Sequence, residues 1–258
     1  MKQAFLLLSC HLSNAVINSF NEIVTATNSE KNITCLLYHQ KGDNLQKQIS
    51  NNDVFYFSDD ILTNLNYKPL GEKLIPGNNH FPLLKFYKEN PDYDYYWCIE
   101  DDVRYTGNWA HFFEYFEKFD KSFISSHIQR FTDDPHWPWW RTLLYNGKTL
   151  ETEYLIRSFN PIYRISKEAL SFIDQELLNG WQGHHEVLFP TLLNAAGADL
   201  MDFGGKGEFV SPGDENKFYL GNYTQNSHLE NRESTFKWRP VLEKMGDIPN
   251  KLYHPVKD

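Results

Sequence analysis

Apolar residues fall along this chain in short continuous runs, separated by stretches whose apolar positions recur with helical spacing. "AFLLLSCH" (4–11), "ITCLLYHQ" (33–40), "DVFYFS" (53–58) and "YYWCI" (95–99) read as buried strands, because aromatic and β-branched residues follow one another without polar alternation. Between the first two, Ser13 is placed to cap a helix running to about Thr27, with Val16, Phe20, Ile23 and Val24 on its apolar face. "NNHFPLLKFYKEN" (78–90) and the amphipathic "NWAHFFEYFEKF" (108–119) read as further helices. Strands alternating with helices in this way predict a mostly parallel sheet covered on both faces.

The second half continues the alternation with strands at 122–128 and 159–166, and a helix at 167–179 with Ala169, Leu170, Ile173 and Leu177 inward. "GWQGHHEVLFPTLLNAAG" (180–197) reads as a glycine-rich turn, a helix opened by His184, His185 and Glu186, and a glycine stop. A short strand at 199–205 precedes a Gly-, Asn- and Pro-rich remainder, whose last 25 residues form a tail expected to pack back on the body. No internal repeat or low-complexity segment occurs. Residues 1–258 read as one domain, long enough to bury about three quarters of its unfolded surface without disulfides or structural metal.

A formal net charge of −9 argues against non-specific binding to nucleic acid or anionic membranes, so an anionic ligand must be met by a local site. Cys10, Cys35 and Cys98 are odd in number and lie in apolar runs, and they read as reduced core residues. The apolar stretch Ala4 to Leu8 is shorter than the ~7–15 residues of a secretory core segment, and the reading is a cytoplasmic protein. No run approaches the ~20 apolar residues of a membrane-spanning helix. Seven Trp, 15 Tyr and 19 Phe suit either a bulky core or a surface that stacks on flat ligands.

The candidate chemistry lies at the end of the strand at 95–99, where Glu100, Asp101 and Asp102 stand in a row. Such a cluster has three ordinary explanations: a divalent metal site, caps and ion pairs, or a solvated turn. Its location favours the first, because ligands of open α/β sheets collect outside the carboxyl ends of the strands. Glu100 and Asp102, two apart on an extended segment, point to one face. "HWPWW" supplies Trp137, Trp139 and Trp140 in a proline-containing loop, suited to a sugar-stacking platform or to a hydrophobic plug. Arg164, between apolar neighbours in a strand, suggests a buried charge that binds an anion or pairs with an acid.

A strand ending in acid-x-acid, followed by helix, strand and, much later, a "GW-x-G-x-x-E" turn opening a helix, resembles the GT-A class of nucleotide-sugar glycosyltransferases. The resemblance implies a GT-A-like, Rossmann-related α/β fold, with about 1–105 as the nucleotide-sugar half and about 106–258 as the acceptor half, closed by the C-terminal tail. It implies that Glu100 and Asp102 hold Mn²⁺ or Mg²⁺ under a donor's diphosphate, most simply a UDP-sugar, with Asp101 a candidate for the ribose. The first Asp of the usual Asp-x-Asp is Glu here. In that class a C-terminal histidine often completes the metal site; His254 is the candidate and His228 the reserve, with Lys257 available to a phosphate. Glu186 corresponds to the general base, and Trp181, His184 and His185 to acceptor contacts beside the three loop tryptophans. Ser9, His11, Asp59, Gly77 and Asn78 fall where that class binds its nucleotide.

Other readings are narrower. The loop after Glu100 lacks the alternating ligands of an EF-hand, no Walker-type or GxGxxG loop occurs, and no two cysteines are spaced for zinc. Two alternatives remain beside a glycosyltransferase: a metal-dependent phosphoesterase or nucleotidyltransferase, and a non-catalytic carbohydrate-binding relative.

Overall fold

The computed structural model describes residues 1–40, 53–221 and 234–257. In chain order these form β1 (Gln3–Ser9), α1 (Asn14–Ala26), β2 (Ile33–His39), β3 (Val54–Phe57), the single turn α2 (Ile61–Asn64), α3 (His80–Glu89) and β4 (Tyr95–Glu100). Then come β5 (Arg104–Tyr105), α4 (Trp109–Glu117), β6 (Phe123–Arg130), β7 (Leu144–Tyr145), β8 (Lys148–Thr149) and β9 (Ile156–Ser166). The last are α5 (Lys167–Leu178), β10 (Trp181–Gln182), α6 (His185–Ala195), β11 (Leu200–Asp202) and β12 (Leu252–Tyr253).

Seven strands make the main sheet, in the order β11-β6-β9-β4-β1-β2-β3. β1 runs parallel to β2 and β4, β2 to β3, and β6 to β11, while β9 lies antiparallel between β4 and β6. The expected mixed, mostly parallel α/β sheet flanked by helices is therefore present. Alternation along β1 sorts the core into two layers. Ala4 and Leu6 face the side packed by α3, α5 and α6, with Phe81, Leu170, Ile173 and Val187; Phe5 and Leu7 face the side packed by α1 and α4, with Phe20, Phe112 and Phe116. No described helix is long and apolar enough to cross a membrane.

Ser13 caps α1, accepting from the Val16 amide. Two expectations fail here. Val24 is 38% exposed, because the apolar stripe of α1 is only as wide as its contact with α4 and the sheet. Cys10 is exposed just past the end of β1, where the chain has left the core; Cys35 and Cys98 are buried, and all three are free thiols.

Arg164 has neither of its expected partners. Fully buried on β9, it donates from Nη1 to the Phe116 carbonyl at 2.6 Å and from Nη2 to the Phe119 carbonyl, and its guanidinium lies 4.1 Å from the Tyr95 ring centre. It thus adds a donor to the Phe116 carbonyl in the last turn of α4 and to the Phe119 carbonyl just beyond it, where the helix dipole favours a cation. Burial lowers its pKa to about 10, so it remains charged. Arg164→Ala is expected to cost roughly 3 kcal/mol of stability in denaturant unfolding, because two charge-assisted hydrogen bonds and the packing of a large buried side chain are lost, with no change in ligand affinity.

Candidate active site

β4 delivers Glu100 to the carboxyl end of the sheet, and the chain then turns through Asp101 and Asp102. The two faces of this turn do different things. Asp101 faces β1, accepting from the Ser9 hydroxyl with His11 Nδ1 at 3.4 Å; burial raises its pKa although both neighbours oppose that shift. Glu100 and Asp102 face the tail. There β12 pairs antiparallel with β5, the Val256 amide donates to the Asp102 carbonyl at 2.9 Å, and His254 is carried over the turn.

Glu100, Asp102 and His254 each offer a ligand atom, all within 4.8 Å of one another. His254 Nε2 stands 3.2 Å from Asp102 Oδ1 and 3.6 Å from Glu100 Oε2. Its Nδ1 is 2.7 Å from the Lys237 carbonyl, which can only accept, so Nδ1 carries a hydrogen and Nε2 is the atom aimed at the carboxylates. Asp102 Oδ1 is buried without an aligned hydrogen-bond donor. An imidazole lone pair and two carboxylates converging on one point fit a divalent cation. Without one, burial opposes charge on His254, but Asp102 and Glu100 outweigh it and raise its pKa to about 9. Burial likewise opposes charge on Asp102, yet His254 and Lys257, whose Nζ is 2.7 Å from Oδ2, hold it well below the usual carboxylate range.

Glu186 enters from α6. His184 is the N-cap residue, its Nδ1 accepting from the Glu186 amide at 3.3 Å, and Glu186 Oε1 accepts from the Asn160 amide at 3.1 Å. Two glycines let this helix start come close to its neighbours. At Gly183 (φ +157°) a Cβ would lie 3.0 Å from Leu143 Cα and the Thr142 carbonyl. At Gly77 (φ +95°) it would meet Leu70 at 2.7 Å and the His184 ring at 3.1 Å, and the Gly77 carbonyl accepts from the His185 amide at 3.1 Å. Burial pushes the Glu186 carboxyl up to about 8, with Glu100 adding to the shift and the Asn160 amide opposing it. Trp139, His184, His185 and His80 stack in series at 5.0, 5.0 and 6.0 Å, and burial depresses the pKa of all three histidines, which stay neutral.

Two cavities adjoin at Ile75, Asn79 and Glu100. One, of about 440 Å³, has Ser9, His11, Asp59, Asp101, Asp102 and Lys257 on its wall. The other, of about 400 Å³, has Trp137, Trp139, His184, His185, Glu186 and His254. Several expected residues lie elsewhere. Gly77, expected among the nucleotide contacts, lines the second cavity and not the one that carries Ser9, His11 and Asp59. Asn78 lines neither; its buried amide clamps Leu70 N–H, Leu70 C=O and Lys73 C=O, holding the loop before α3. Trp140 is a core plug whose Nε1 donates to the Asp134 carbonyl, and Trp181 packs on Tyr145 at 5.0 Å away from both cavities. His228 lies outside the described residues.

Sequence reasoning missed Asn79, which donates to Glu100 Oε1 at 2.8 Å and lines both cavities. It also missed the buried Arg157–Asp134 pair at 3.0 Å, Trp238 on the second cavity, and His39, 3.0 Å from Asp59 and stacked on Phe57. Asn79 was within reach, since it neighbours Asn78 at the start of the same helix. The others carry no local signal.

The site is thus a carboxylate–imidazole cluster at a strand end of a mixed α/β sheet, between two cavities. A family profile described as "Protein of unknown function (DUF3405)" matches residues 51–124, a stretch that contains this acidic turn. No curated protein matches the sequence. Among solved structures, the bifunctional IspDF from Campylobacter jejuni aligns over 84% of this chain and 53% of its own, at 9% identity and a TM-score of 0.42, so the chain spans about half of it. The inositol-1-phosphate CTP transferase from T. maritima aligns over 84% and 92% (10% identity, TM-score 0.42). The galactosyltransferase LgtC, in complex with donor and acceptor sugar analogs, aligns over 73% and 70% (10% identity, TM-score 0.44).

Because the Glu186 pKa rises from 4.5 to about 8 on folding, the unfolded chain releases this proton first. Its contribution to stability is therefore undiminished below pH 4.5, falls as pH rises through that window, and is lowest above pH 8. Glu186→Gln, neutral at every pH, is expected to melt like the parent near pH 4.5 and several degrees higher at pH 9, measured on metal-free protein; parallel curves would mean an unshifted carboxyl.

Proposed function

We propose that this protein is a metal-dependent glycosyltransferase, moving a sugar from a nucleotide diphosphate donor to a hydroxyl acceptor with inversion at the anomeric carbon. The observation that carries the reading is the meeting of the two cavities at Glu100. One side has Asp101, Asp102 and Lys257 for a diphosphate and its ribose; the other has aromatic rings and a buried carboxyl, Glu186, for an acceptor.

Glu100, Asp102 and His254 would hold Mn²⁺ or Mg²⁺, which when bound neutralises the charge developing on a departing nucleoside diphosphate. Lys257 presents a cation on the wall of the same cavity. Ser9 and His11 orient Asp101, so that its carboxyl faces the donor side. Asn79 fixes Glu100 through Oε1, leaving Oε2 toward His254. On the other side, the acceptor hydroxyl oxygen attacks the anomeric carbon as the bond from that carbon to the diphosphate oxygen breaks, and the hydroxyl proton passes to Glu186. A carboxyl with a pKa near 8 is a stronger base than an ordinary glutamate and suits that role. The neutral His184 ring, accepting from the Glu186 amide, supports the helix start without adding charge.

The test is thermal unfolding against a panel of nucleotide sugars with and without Mn²⁺, followed by product analysis. One donor is expected to stabilise the protein only with Mn²⁺, by about 2.7 kcal/mol at 100 times its dissociation constant. Asp102→Ala should lose that shift and all turnover. Glu186→Gln should keep the shift and lose roughly 10²- to 10⁴-fold in rate. Release of pyrophosphate in place of nucleoside diphosphate would make the protein a nucleotidyltransferase, and sugar binding without turnover a carbohydrate-binding protein.

A further inference from the structure

We propose that the cavity lined by Glu186 admits an uncharged sugar and discriminates against acceptors that carry an acid group where they enter it. This rests on the transferase reading and deepens it by specifying the acceptor.

The two adjoining cavities are segregated by charge. Among the described lining residues, lysines occur only on the nucleotide side, as Lys73 and Lys257. The cavity of about 400 Å³ has three carboxyl groups on its wall, Glu100, Asp134 and Glu186, against one guanidinium, that of Arg157. That guanidinium is already matched: it is 1% exposed, with Nη2 3.0 Å from Asp134 Oδ2 and Nε donating to Gln129 Oε1 at 3.1 Å. His184 and His185 are held in a buried stack against Trp139, where a charged ring is disfavoured. His254 faces its two carboxylates, and the one other histidine of the described lining, His136, is exposed to solvent. A cation held by Glu100, Asp102 and His254 would be balanced by those carboxylates and by a donor's diphosphate. An anionic group entering the cavity therefore loses its hydration among carboxyl groups and aromatic rings, with every buried cation of the wall already matched, so nothing compensates its desolvation.

The apolar part of the wall suits a neutral ring. Trp137 and Trp139 line it from one loop and Trp238 from the tail, and Trp238 leaves 53% of its surface open. Aromatic faces carry negative charge density and attract the C–H faces of a pyranose, while its hydroxyls reach the carboxyls. The volume matches a small ligand.

The test measures dissociation constants of methyl glucoside, methyl galactoside and methyl N-acetylglucosaminide against methyl glucuronide and methyl glucoside 6-phosphate, by tryptophan fluorescence on the full chain, with and without UDP and Mn²⁺. Neutral glycosides are expected to bind saturably, with the acidic ones weaker by roughly tenfold, equivalent to about 1.4 kcal/mol. Trp139→Ala should weaken the neutral ligands by a similar factor. Asp134→Asn, which leaves the Arg157 charge without its carboxylate, should narrow the gap between neutral and acidic ligands. Equal or tighter binding of the acidic glycosides overturns the inference, as does failure of every glycoside to bind under either condition. If neutral glycosides bind selectively while UDP with Mn²⁺ causes no change, the transferase reading fails and the assignment of the cavity stands.

Discussion

Three consecutive carboxyl groups at the end of a buried strand repel one another, and the rest of the site is arranged around that repulsion. Asp101 is turned toward β1 and matched by Ser9 and His11. Glu100 and Asp102 are matched by His254 and Lys257, which arrive from about 150 residues away along the chain. The same contact docks the tail, since the Val256 amide bonds the Asp102 carbonyl and β12 pairs with β5 beside the turn. The raised pKa of His254 and the depressed one of Asp102 are two sides of one coupling. A divalent cation held by Glu100, Asp102 and His254 would take the place of the proton between them.

The neighbouring cavity shows the opposite electrostatics. Glu186 is taken into a place where charge is penalised, beside His184 in a stack of neutral rings. Such an arrangement costs stability above the carboxyl's unfolded pKa and gives Glu186 a higher proton affinity than a solvated glutamate has. The Arg157–Asp134 pair belongs to the same scheme. A buried ion pair is a poor source of stability, but it fixes a polar wall without leaving a cation for anions to find.

Much of the fold was legible because burial on both faces writes itself as continuous apolar runs, and packing on one face as helical periodicity. β1, β2, β3, β4 and the helices α1, α3, α4, α5 and α6 fall within a few residues of where the pattern put them. The errors came where the pattern is silent about width or direction. Val24 sits at the edge of a stripe narrower than its hydrophobicity suggests, and Cys10 lies one residue past the strand. Arg164 looked like half of an ion pair because helix-end carbonyls, its true partners, leave no mark in composition. The short strands β5, β7, β8, β10 and β12 are two residues each; β7 and β8 form a tight local hairpin, whereas β5, β10 and β12 depend on partners distant in sequence.

The sequence by itself determined the layered α/β sheet, the acidic turn at the end of β4, and the glycine turn that presents Glu186, because each is a local pattern of burial or backbone freedom. Only the tertiary structure decided which residues of those turns share a space. It set Asn79 toward the cavities and Asn78 into the loop, one residue apart on a turn whose phase the sequence does not fix. It divided the tryptophans between wall and core, placing Trp137 and Trp139 on a cavity and Trp140 behind them. It brought His254 to Glu100 and Asp102, a meeting that depends on the path of the whole intervening chain and that no spacing along the sequence encodes.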